Sequence, residues 1–358
     1  MSHVLVNSAR RAVKLLAFAL VIHLFVIPQI GGVRKALSVI GSVNSWYLLG
    51  AVVLEMSCLL AYARLIQLLL PADQRPSLGV SFGTVMASTG VSHVVPGGAA
   101  TTAAVNYRLL SRAGVAPHAL SAALGLQAIG SAVVLNAILW LALTVSIPIS
   151  GFHPVYATAA TVGAVLIGVF SAAVVNMLRH RTRLADRVSA LVGRLPRLSG
   201  DRVREIIIGL ADQLRLLAAD RHLLRLVVGL AAANWLLDAA ALWLMLAAFG
   251  HRPGVVGVLV AYGLANVLAA IPVSPGGLGV IEAVLIPTLV GFGTPRAEAS
   301  IGVVAYRLIN FWLPIPLGAL SYVIVERVTR GGHRGFVGEV EAQLQHIDEV
   351  GRDYGEGG

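Results

Sequence analysis

IPVSPGGLGVIE, residues 271–282, has a counterpart earlier in the chain: VVPGGAATTAAVNYR, at residues 94–108. A shift of 179 residues superposes the two stretches without a gap and places Pro96, Gly97 and Gly98 on Pro275, Gly276 and Gly277. The same shift superposes further identical residues, among them Gly114 and Gly293. The chain is therefore predicted to contain an internal repeat centred on two PGG triplets.

The composition is that of a membrane protein. Of the 358 residues, 57% are hydrophobic and only 12% are charged, and the mean hydropathy is +0.82; soluble globular chains carry about 25% charged residues. A helix that crosses the hydrocarbon core needs about 20 apolar residues. Several apolar runs reach that length, and the runs cover residues 15–30, 46–70, 118–149, 155–178, 226–249 and 299–325. We predict an all-α integral membrane protein, a polytopic helical bundle.

The distribution of basic residues predicts the topology. Cytoplasmic loops carry an excess of Lys and Arg, and the most basic loop, residues 179–225, is therefore predicted to be cytoplasmic. The basic N-terminus and the segment after residue 325 belong to the same side, whereas the connection 150–154 has no Lys or Arg. We expect a multi-pass protein of a bacterial cytoplasmic membrane with both termini cytoplasmic. The net charge of +10 then reflects topology rather than nucleic-acid binding.

Two segments near the cytoplasmic side have their own character. Residues 201–219, within the basic loop, have apolar residues at helical spacing. An amphipathic helix of this kind either lies on the inner membrane surface or packs on the cytoplasmic end of the bundle. Residues 1–330 are predicted to form the transmembrane domain, and the polar, acidic segment 331–358 a mobile cytoplasmic tail.

The repeat and the topology together predict an inversion. Repeat one covers about residues 46–148 and repeat two about 226–325. The helix before the first PGG should run from outside to inside, and the helix before the second in the opposite direction. Inverted repeats are an architecture of secondary transporters, whose binding sites lie near the midplane.

Each PGG triplet is flanked by apolar stretches that are short for a membrane span: 79–95 and 99–113, then 256–273 and 278–292. Proline cannot continue a helix, and glycine weakens it. We predict two PGG-centred re-entrant hairpins of half-helices that enter from opposite faces. Broken backbone at membrane depth must be buried in protein or line a cavity. The alternative is two short spanning helices with an exposed turn.

The half-helix after each triplet begins with free backbone N–H groups and the positive end of the helix dipole. Residues 98–102 and 277–281 are therefore candidate anion sites near the bilayer centre, and a phospholipid phosphate is an anion of suitable size. The plainer interpretation is that the glycines only permit close helix packing.

Charged residues inside the apolar runs are further candidates, because a charge at a helix centre costs about 2.5–3.5 kcal/mol on insertion scales. Glu282 and Arg307 are expected to form an ion pair, either as a structural link or with Arg307 as a phosphate ligand. Other residues with a candidate place along the same cavity are Glu55, Tyr107, Arg108, Asn234 and Asp238. Weaker candidates of the same kind are His93, Gln127, Asn136, Asn266 and Asn310. The structural alternatives are hydrogen bonds between helices and snorkelling of Arg108 to the headgroups.

Missing motifs argue against several chemistries. Cys58 is the single cysteine, so neither a disulfide within the chain nor a thiolate metal site is expected. The sequence contains no P-loop and no H-E-x-x-H. We expect no enzyme activity, no cofactor and no metal.

The stretch 271–282, followed by Arg307, resembles the transmembrane domain of bacterial lysylphosphatidylglycerol synthase/flippases, and residues 94–108 look like the other signature of that family. The resemblance covers about residues 12–327. It implies that a phospholipid, aminoacylated in some members, is moved from the inner to the outer leaflet. It also implies that the second PGG, Glu282 and Arg307 are functional residues. The soluble aminoacyl-transferase domain of the full-length synthases is not found in this sequence, so lipid synthesis is not part of the expectation.

The predicted function is translocation of a phospholipid or related anionic lipid between leaflets, with membrane lipids as partners. One alternative is a secondary transporter for a small anion or an isoprenoid-linked sugar. Another is a non-transporting scaffold for an enzyme of envelope lipid synthesis. A third is a membrane transferase that uses a lipid donor.

Overall fold

The computed structural model describes residues 44–95, 97–150, 200–250, 252–270 and 274–329, together with isolated positions between 165 and 190. Within these residues every regular element is a helix, and no strand occurs. The all-α class predicted from composition is confirmed. The predicted first helix at 15–30 and the predicted tail 331–358 lie outside the described residues, as does most of the run 155–178.

The described helices form two sets of four with one helix between them. The first set contains α1 (Ser45–Leu69), α2 (Leu78–Val94), α3 (Ala99–Arg112) and α4 (Pro117–Ser150). The helix between the sets is α5 (Gly200–Ala219). The second set contains α6 (Arg221–Ala247), α7 (Val255–Ala269), α8 (Val280–Gly291) and α9 (Arg296–Thr329). A short 3-10 turn, Pro275–Gly277, separates α7 from α8, and α9 contains a π-helical segment, Leu308–Trp312.

Four of the described helices, α1, α4, α6 and α9, are long and apolar enough to cross a membrane. Helices α2, α3, α7 and α8 have 17, 14, 15 and 12 residues. At 1.5 Å per residue they reach about 18–26 Å, less than the roughly 30 Å of a hydrocarbon core. The polytopic membrane architecture is confirmed, whereas the re-entrant course of the short helices stays a prediction.

The two sets correspond through the same 179-residue shift that aligns the PGG triplets. Moved by this shift, the bounds of α4 become those of α9, and the end of α3 becomes the end of α8. The glycines that follow α3 and α8 also correspond, since Gly114 has a φ of +92° and Gly293 a φ of +89°. Such left-handed C-caps favour glycine, which has no Cβ to strain them.

Helices α1 and α6 share the most extensive contact between two described helices, and they run antiparallel. Near one end of the pair, a Cβ on Gly50 would lie 2.8 Å from Cδ2 of Leu244. Further along α1, the Sγ of Cys58 accepts a hydrogen bond from Nδ2 of Asn234 at 2.8 Å. The antiparallel sense is the orientation that an inverted repeat requires.

Each hairpin packs against the long helix of the other set. A Cβ on Gly90 of α2 would lie 2.4 Å from the carbonyl oxygen of Pro314 and 3.0 Å from Cα of Gly318, both in α9. In the other set, a Cβ on Gly263 of α7 would lie 2.9 Å from Leu139 of α4. Because Gly90 and Gly263 have no side chain, the helices can cross this closely. The two repeats are therefore interleaved.

Two apolar cores lie on either side of the middle of the bundle. One includes Leu246 at the end of α6 and Leu289 at the end of α8. The other includes Leu65 near the end of α1 and Leu120 near the start of α4. Because α1 and α6 are antiparallel, these cores mark opposite ends of the bundle, and one hairpin opens towards each end.

Helix α5 packs on the end of the bundle that contains the end of α1. Ala211 is fully buried, and Nε2 of Gln213 donates to the carbonyl oxygen of Leu69 at 3.3 Å. Of the two interpretations of residues 201–219, packing on the bundle end therefore agrees with the observed contacts.

Candidate functional site

A cluster of charged and polar side chains is buried between the two apolar cores. Glu55, Asp238 and Arg307 are 2%, 8% and 5% exposed. Counted along their helices at 1.5 Å per residue, all three lie about 14–17 Å from the same end of the bundle. This depth is roughly half of a 30 Å hydrocarbon core. Charges at such a depth are costly and require partners.

Arg307 of α9 connects three elements through its guanidinium group. Its Nε donates to Oε1 of Glu282 at 2.7 Å, Nη2 donates to the Gly276 carbonyl oxygen at 3.2 Å, and Nη1 donates to Oδ1 of Asn310 at 3.3 Å. The ion pair expected between Glu282 and Arg307 is confirmed. The Arg307 side chain is 6% exposed and the Glu282 side chain 25% exposed, so the pair is open mainly on its acidic side.

Glu282 also closes the start of α8. Its Oε2 accepts a hydrogen bond from the backbone N–H of Gly279 at 2.7 Å, and Gly279 has a φ of +81°. Helix α8 consequently begins at Val280, two residues later than predicted. Within the anion site predicted at 277–281, the N–H of Gly279 is already bound by a carboxylate of the chain itself, and anion binding there stays a prediction.

Asp238 of α6 accepts three hydrogen bonds. The Oη of Tyr262 donates to Oδ2 at 2.7 Å, the Oη of Tyr306 donates to Oδ1 at 2.6 Å, and Nδ2 of Asn310 donates to Oδ1 at 3.1 Å. Both tyrosines are buried, with exposures of 1% and 3%. Several donors of this kind are the partners that a buried carboxylate requires.

Glu55 of α1 has poorer partners. Its Oε1 accepts a hydrogen bond from the same Nδ2 of Asn310, at 3.2 Å. Its Oε2 is buried and receives no hydrogen bond from the described residues. The carboxyl groups of Glu55 and Asp238 thus share one donor, Nδ2 of Asn310. Because Oδ1 of Asn310 accepts from Arg307, this amide joins both acids to the guanidinium group.

The end of α2 and the second glycine turn meet beside Arg307. A Cβ on Gly276 would lie 2.5 Å from the Phe311 ring and 2.8 Å from the His93 ring. His93, near the end of α2, stacks on Phe311 with ring centroids 4.5 Å apart, and its Nδ1 lies 2.9 Å from the Phe311 carbonyl oxygen. The guanidinium carbon of Arg307 lies 4.6 Å from the centroid of the same ring. Phe311 thus contacts both hairpins.

The first glycine turn has fewer contacts. Pro96 lies outside the described residues, and Gly97 and Gly98 have φ values of +129° and +50°. The carbonyl oxygen of Gly98 accepts from the N–H and the hydroxyl group of Thr102, at 3.1 Å and 3.3 Å, as α3 begins. A Cβ on Gly97 would lie 2.5 Å from Oγ1 of Thr101, and a Cβ on Gly98 would meet nothing within 4 Å, so the nearest neighbours of this turn belong to its own hairpin.

Three other predicted residues lie apart from the cluster. Asn234 donates to Cys58 within the α1–α6 contact and does not pair with Asp238. Tyr107 is 38% exposed, and the exposed Arg108 lies 6.0 Å from the centroid of the Tyr322 ring. The 179-residue shift superposes Glu55 on Asn234, but only Glu55 lies in the buried cluster. Exposure on α3 is the placement that snorkelling requires of Arg108.

Nothing in the sequence distinguishes Tyr262, Tyr306 and Phe311 from packing residues, and Asn310 is only a weaker candidate there. Tyr306, Arg307 and Asn310 do follow one another at a spacing that places them within one turn of α9. Buried tyrosine hydroxyl groups also need hydrogen-bond partners. Both observations concern residues that are close along the chain, and neither predicts that the tyrosines donate to Asp238 of α6.

A cavity of about 320 Å³ lies between α1, α4, α5 and α6. Its lining is apolar apart from Gln127 and Ser131, and Leu214 of α5 and Val227 of α6 contribute to it. None of the charged residues of the buried cluster lines this cavity. It is therefore separate from the polar site at the middle of the bundle.

Long apolar helices surround a buried polar layer, in which a glycine turn meets the end of a second hairpin. This arrangement defines a polytopic α-helical membrane protein with an intramembrane polar site. The family model described as "Lysylphosphatidylglycerol synthase TM region" matches residues 11–318 of the 358. The chain belongs to this family, as the resemblance of its two PGG stretches implied.

Curated relatives match shorter parts of the chain. The "Inner membrane protein YbhN" of Escherichia coli (strain K12) is 32% identical over 97 residues, 27% of this chain and 30% of that protein. A "UPF0104 membrane protein" of Methanothermobacter thermautotrophicus is 24% identical over 167 residues, 45% of this chain and 49% of that protein. The "Uncharacterized protein slr0712" of Synechocystis sp. is 35% identical over 99 residues, 26% of this chain and 29% of that protein. The matched stretches span about half or less of these relatives.

Proposed function

We propose that this protein translocates a phospholipid or a related anionic lipid between the two leaflets of the membrane. The observation that carries the proposal is the Arg307–Glu282 pair, which is held against the second glycine turn at the middle of the bundle. A lipid headgroup that crosses the bilayer must pass this depth, where charge is costly. A guanidinium group offers planar, paired donors that match a phosphate.

The proposed binding step is an exchange of partners on Arg307. Three of its five N–H groups have acceptors, one each on Nε, Nη1 and Nη2, so a phosphate that binds through the Nε edge would displace Glu282. Glu282 is the acceptor that water and ligand reach most easily, because its side chain is 25% exposed. Its second oxygen remains bonded to the N–H of Gly279, which would keep the carboxylate close while the headgroup occupies Arg307.

The lipid tails would remain in the surrounding bilayer while the headgroup passes the polar layer. The proposal contains no chemical step on the lipid and therefore no enzyme activity. A cytoplasmic membrane location with both termini cytoplasmic is part of the proposal, and the similar E. coli protein, which is named an inner membrane protein, supports the choice of membrane. A functional link to an enzyme of envelope lipid synthesis also belongs to the proposal.

Lipid exchange in proteoliposomes tests this function. Purified protein should accelerate the movement of fluorescent phosphatidylglycerol between leaflets, measured by quenching with a membrane-impermeant reductant. Arg307→Lys keeps the charge but loses the planar donors, and we expect the exchange rate to fall about tenfold or more, which corresponds to about 1.4 kcal/mol. Arg225→Lys is the matched control, because Nε of Arg225 donates to a carbonyl oxygen of its own helix. If the unaltered protein does not accelerate the exchange of any anionic or zwitterionic lipid over protein-free liposomes, the proposal is contradicted.

A further inference from the structure

We propose that the Glu55–Asp238 pair is a proton-binding site and that Asn310 couples its protonation to the Arg307–Glu282 pair. The coupling part rests on the proposed function, which it deepens by naming the ion that moves with the lipid. The proton site itself stands on the geometry of the buried cluster.

The described cluster contains more acids than bases. Its carboxyl groups belong to Glu55, Asp238 and Glu282, and the guanidinium group of Arg307 is already engaged by Glu282 at 2.7 Å. Ionising both remaining acids would leave two uncompensated charges at a depth where even one is expensive. A single proton held by Glu55 and Asp238 removes half of that charge. Neighbouring carboxyl groups commonly respond in this way.

The hydrogen-bond partners indicate how the proton is held. Asp238 accepts from two tyrosines and Asn310, which is the environment of an ionised carboxylate. Glu55 accepts one hydrogen bond, and its buried Oε2 receives none from the described residues. The two carboxyl groups share one donor, Nδ2 of Asn310, and are therefore neighbours, so a proton on one of them removes their mutual repulsion. Glu55, with fewer donors, is the acid that holds the proton, and Asp238 is the carboxylate.

Few other groups near the pair can change charge. The titratable and charged groups that face it from the surrounding elements are Cys58 of α1, Tyr262 of α7, and Tyr306 and Arg307 of α9. Thiols and phenols are neutral near pH 7, and arginine remains charged. The proton on the acidic pair is thus the variable charge of this part of the site.

Asn310 supplies the physical link between the two halves of the cluster. Its Nδ2 donates to Glu55 at 3.2 Å and to Asp238 at 3.1 Å, while its Oδ1 accepts from Arg307 at 3.3 Å. Loss of the proton would add a carboxylate that attracts Arg307 through this amide and weakens the competing bond to Glu282. Proton binding and headgroup binding at Arg307 would then influence each other reciprocally.

Infrared spectroscopy tests the proton site without any transport assay. The purified protein at neutral pH should show the carbonyl stretch of a protonated carboxylic acid, with a shift in D2O. Glu55→Gln should abolish this band, and the exposed acid variant Asp73→Asn should retain it. Asp238→Asn should shift the band, because it removes the negative charge beside the protonated acid. Absence of the band in the unaltered protein, or an unchanged band in Glu55→Gln or Asp238→Asn, would overturn the proton site.

A pH gradient across proteoliposomes tests the coupling. The exchange rate of fluorescent phosphatidylglycerol should change by about fivefold or more when the gradient is imposed. About fivefold is the lower end of the usual range for the effect of one binding site on another. Asn310→Leu should lose this response and keep the infrared band. Asn136→Leu is the matched control, because Nδ2 of Asn136 donates to a carbonyl oxygen of its own helix.

The two proposals fail in different ways. Lipid exchange that ignores the gradient, or a gradient response that survives Asn310→Leu, would overturn the coupling. If the unaltered protein moves no lipid at all, the proposed function and the coupling both fail, and the infrared measurement still decides the proton site.

Discussion

At the scale of single residues, the buried cluster combines a closed ion pair with an incomplete acid pair. Arg307 and Glu282 satisfy each other and bind the backbone at Gly276 and Gly279. The contact with Gly276 joins α9 to a turn that is remote along the chain, and the contact with Gly279 fixes the start of α8. The pair therefore has a structural role, and removal of either partner should lower the stability of the protein.

Glu282→Gln should lower the stability of the solubilised protein by about 1–3 kcal/mol. Breaking a buried ion pair typically costs about 3–5 kcal/mol, and the partial exposure of Glu282 reduces that figure through solvent screening. Thermal unfolding in detergent measures the change, with the exposed Glu205→Gln as control. A double variant, Glu282→Leu with Arg307→Met, should lose less than the sum of its single variants. Strict additivity would show that the pair contributes nothing.

Part of this cluster is predictable from sequence, because charges within apolar runs are rare enough to stand out. Glu282, Arg307, Glu55 and Asp238 are all found in this way. Tyr262 and Tyr306 are not, because a tyrosine in an apolar helix is as suitable for packing as for hydrogen bonding. The misplacement of Asn234 has a related cause: the repeat equates positions on the backbone, whereas the partner of a side chain depends on what the opposite helix offers.

At the scale of elements, the two glycine turns have the same sequence and different surroundings. Gly276 is enclosed by Phe311 and His93, whereas the atoms nearest to a Cβ on its counterpart, Gly97, all belong to Thr101 of the helix that follows. The second turn is thus a packed junction between the hairpins, and the first turn is packed only within its own hairpin. The hydrophobic pattern and the placement of glycines predict the helix bounds to within a few residues. The late start of α8 is not predicted in this way, because it depends on the hydrogen bond from the N–H of Gly279 to Glu282.

Gly276→Ala should destabilise the junction for two reasons. Its φ of +54° costs a residue with a side chain about 1–2 kcal/mol, and its Cβ would press on the Phe311 ring, for which overpacking typically adds about 1–3 kcal/mol. Gly114→Ala separates the two effects, because its φ is +92° and a Cβ there would meet nothing within 4 Å. Thermal unfolding should therefore show a larger loss for Gly276→Ala. Equal losses would contradict the packed junction.

At the scale of the whole molecule, the interleaving of the two sets determines how the site is supported. Gly90 meets Gly318 and Gly263 meets Leu139, so each hairpin rests on the long helix of the other copy. Neither copy contains a complete set of cluster residues, since Glu55 comes from the first and Asp238 and Arg307 from the second. Sequence repeats predict that two similar units exist, and they do not predict this exchange, because contacts between units depend on packing surfaces that the repeat leaves unspecified.

The opposite openings of the hairpins predict opposite accessibility of their connecting loops. Ala72 lies in the connection from α1 to α2 and Ala297 at the start of α9, and both are exposed. In a Cys58→Ala background, Ala72→Cys should react with an impermeant maleimide only in inside-out vesicles, because it lies at the end of the bundle predicted to be cytoplasmic. Ala297→Cys should react only in right-side-out vesicles, and both should react after permeabilisation. Glu282 lies about 14 Å along α8 from the end near Ala297, at 1.5 Å per residue. Labelling of Ala72→Cys and Ala297→Cys from the same side would therefore displace the Arg307–Glu282 pair from the middle of the membrane. The basis for a headgroup path through the pair would then be lost.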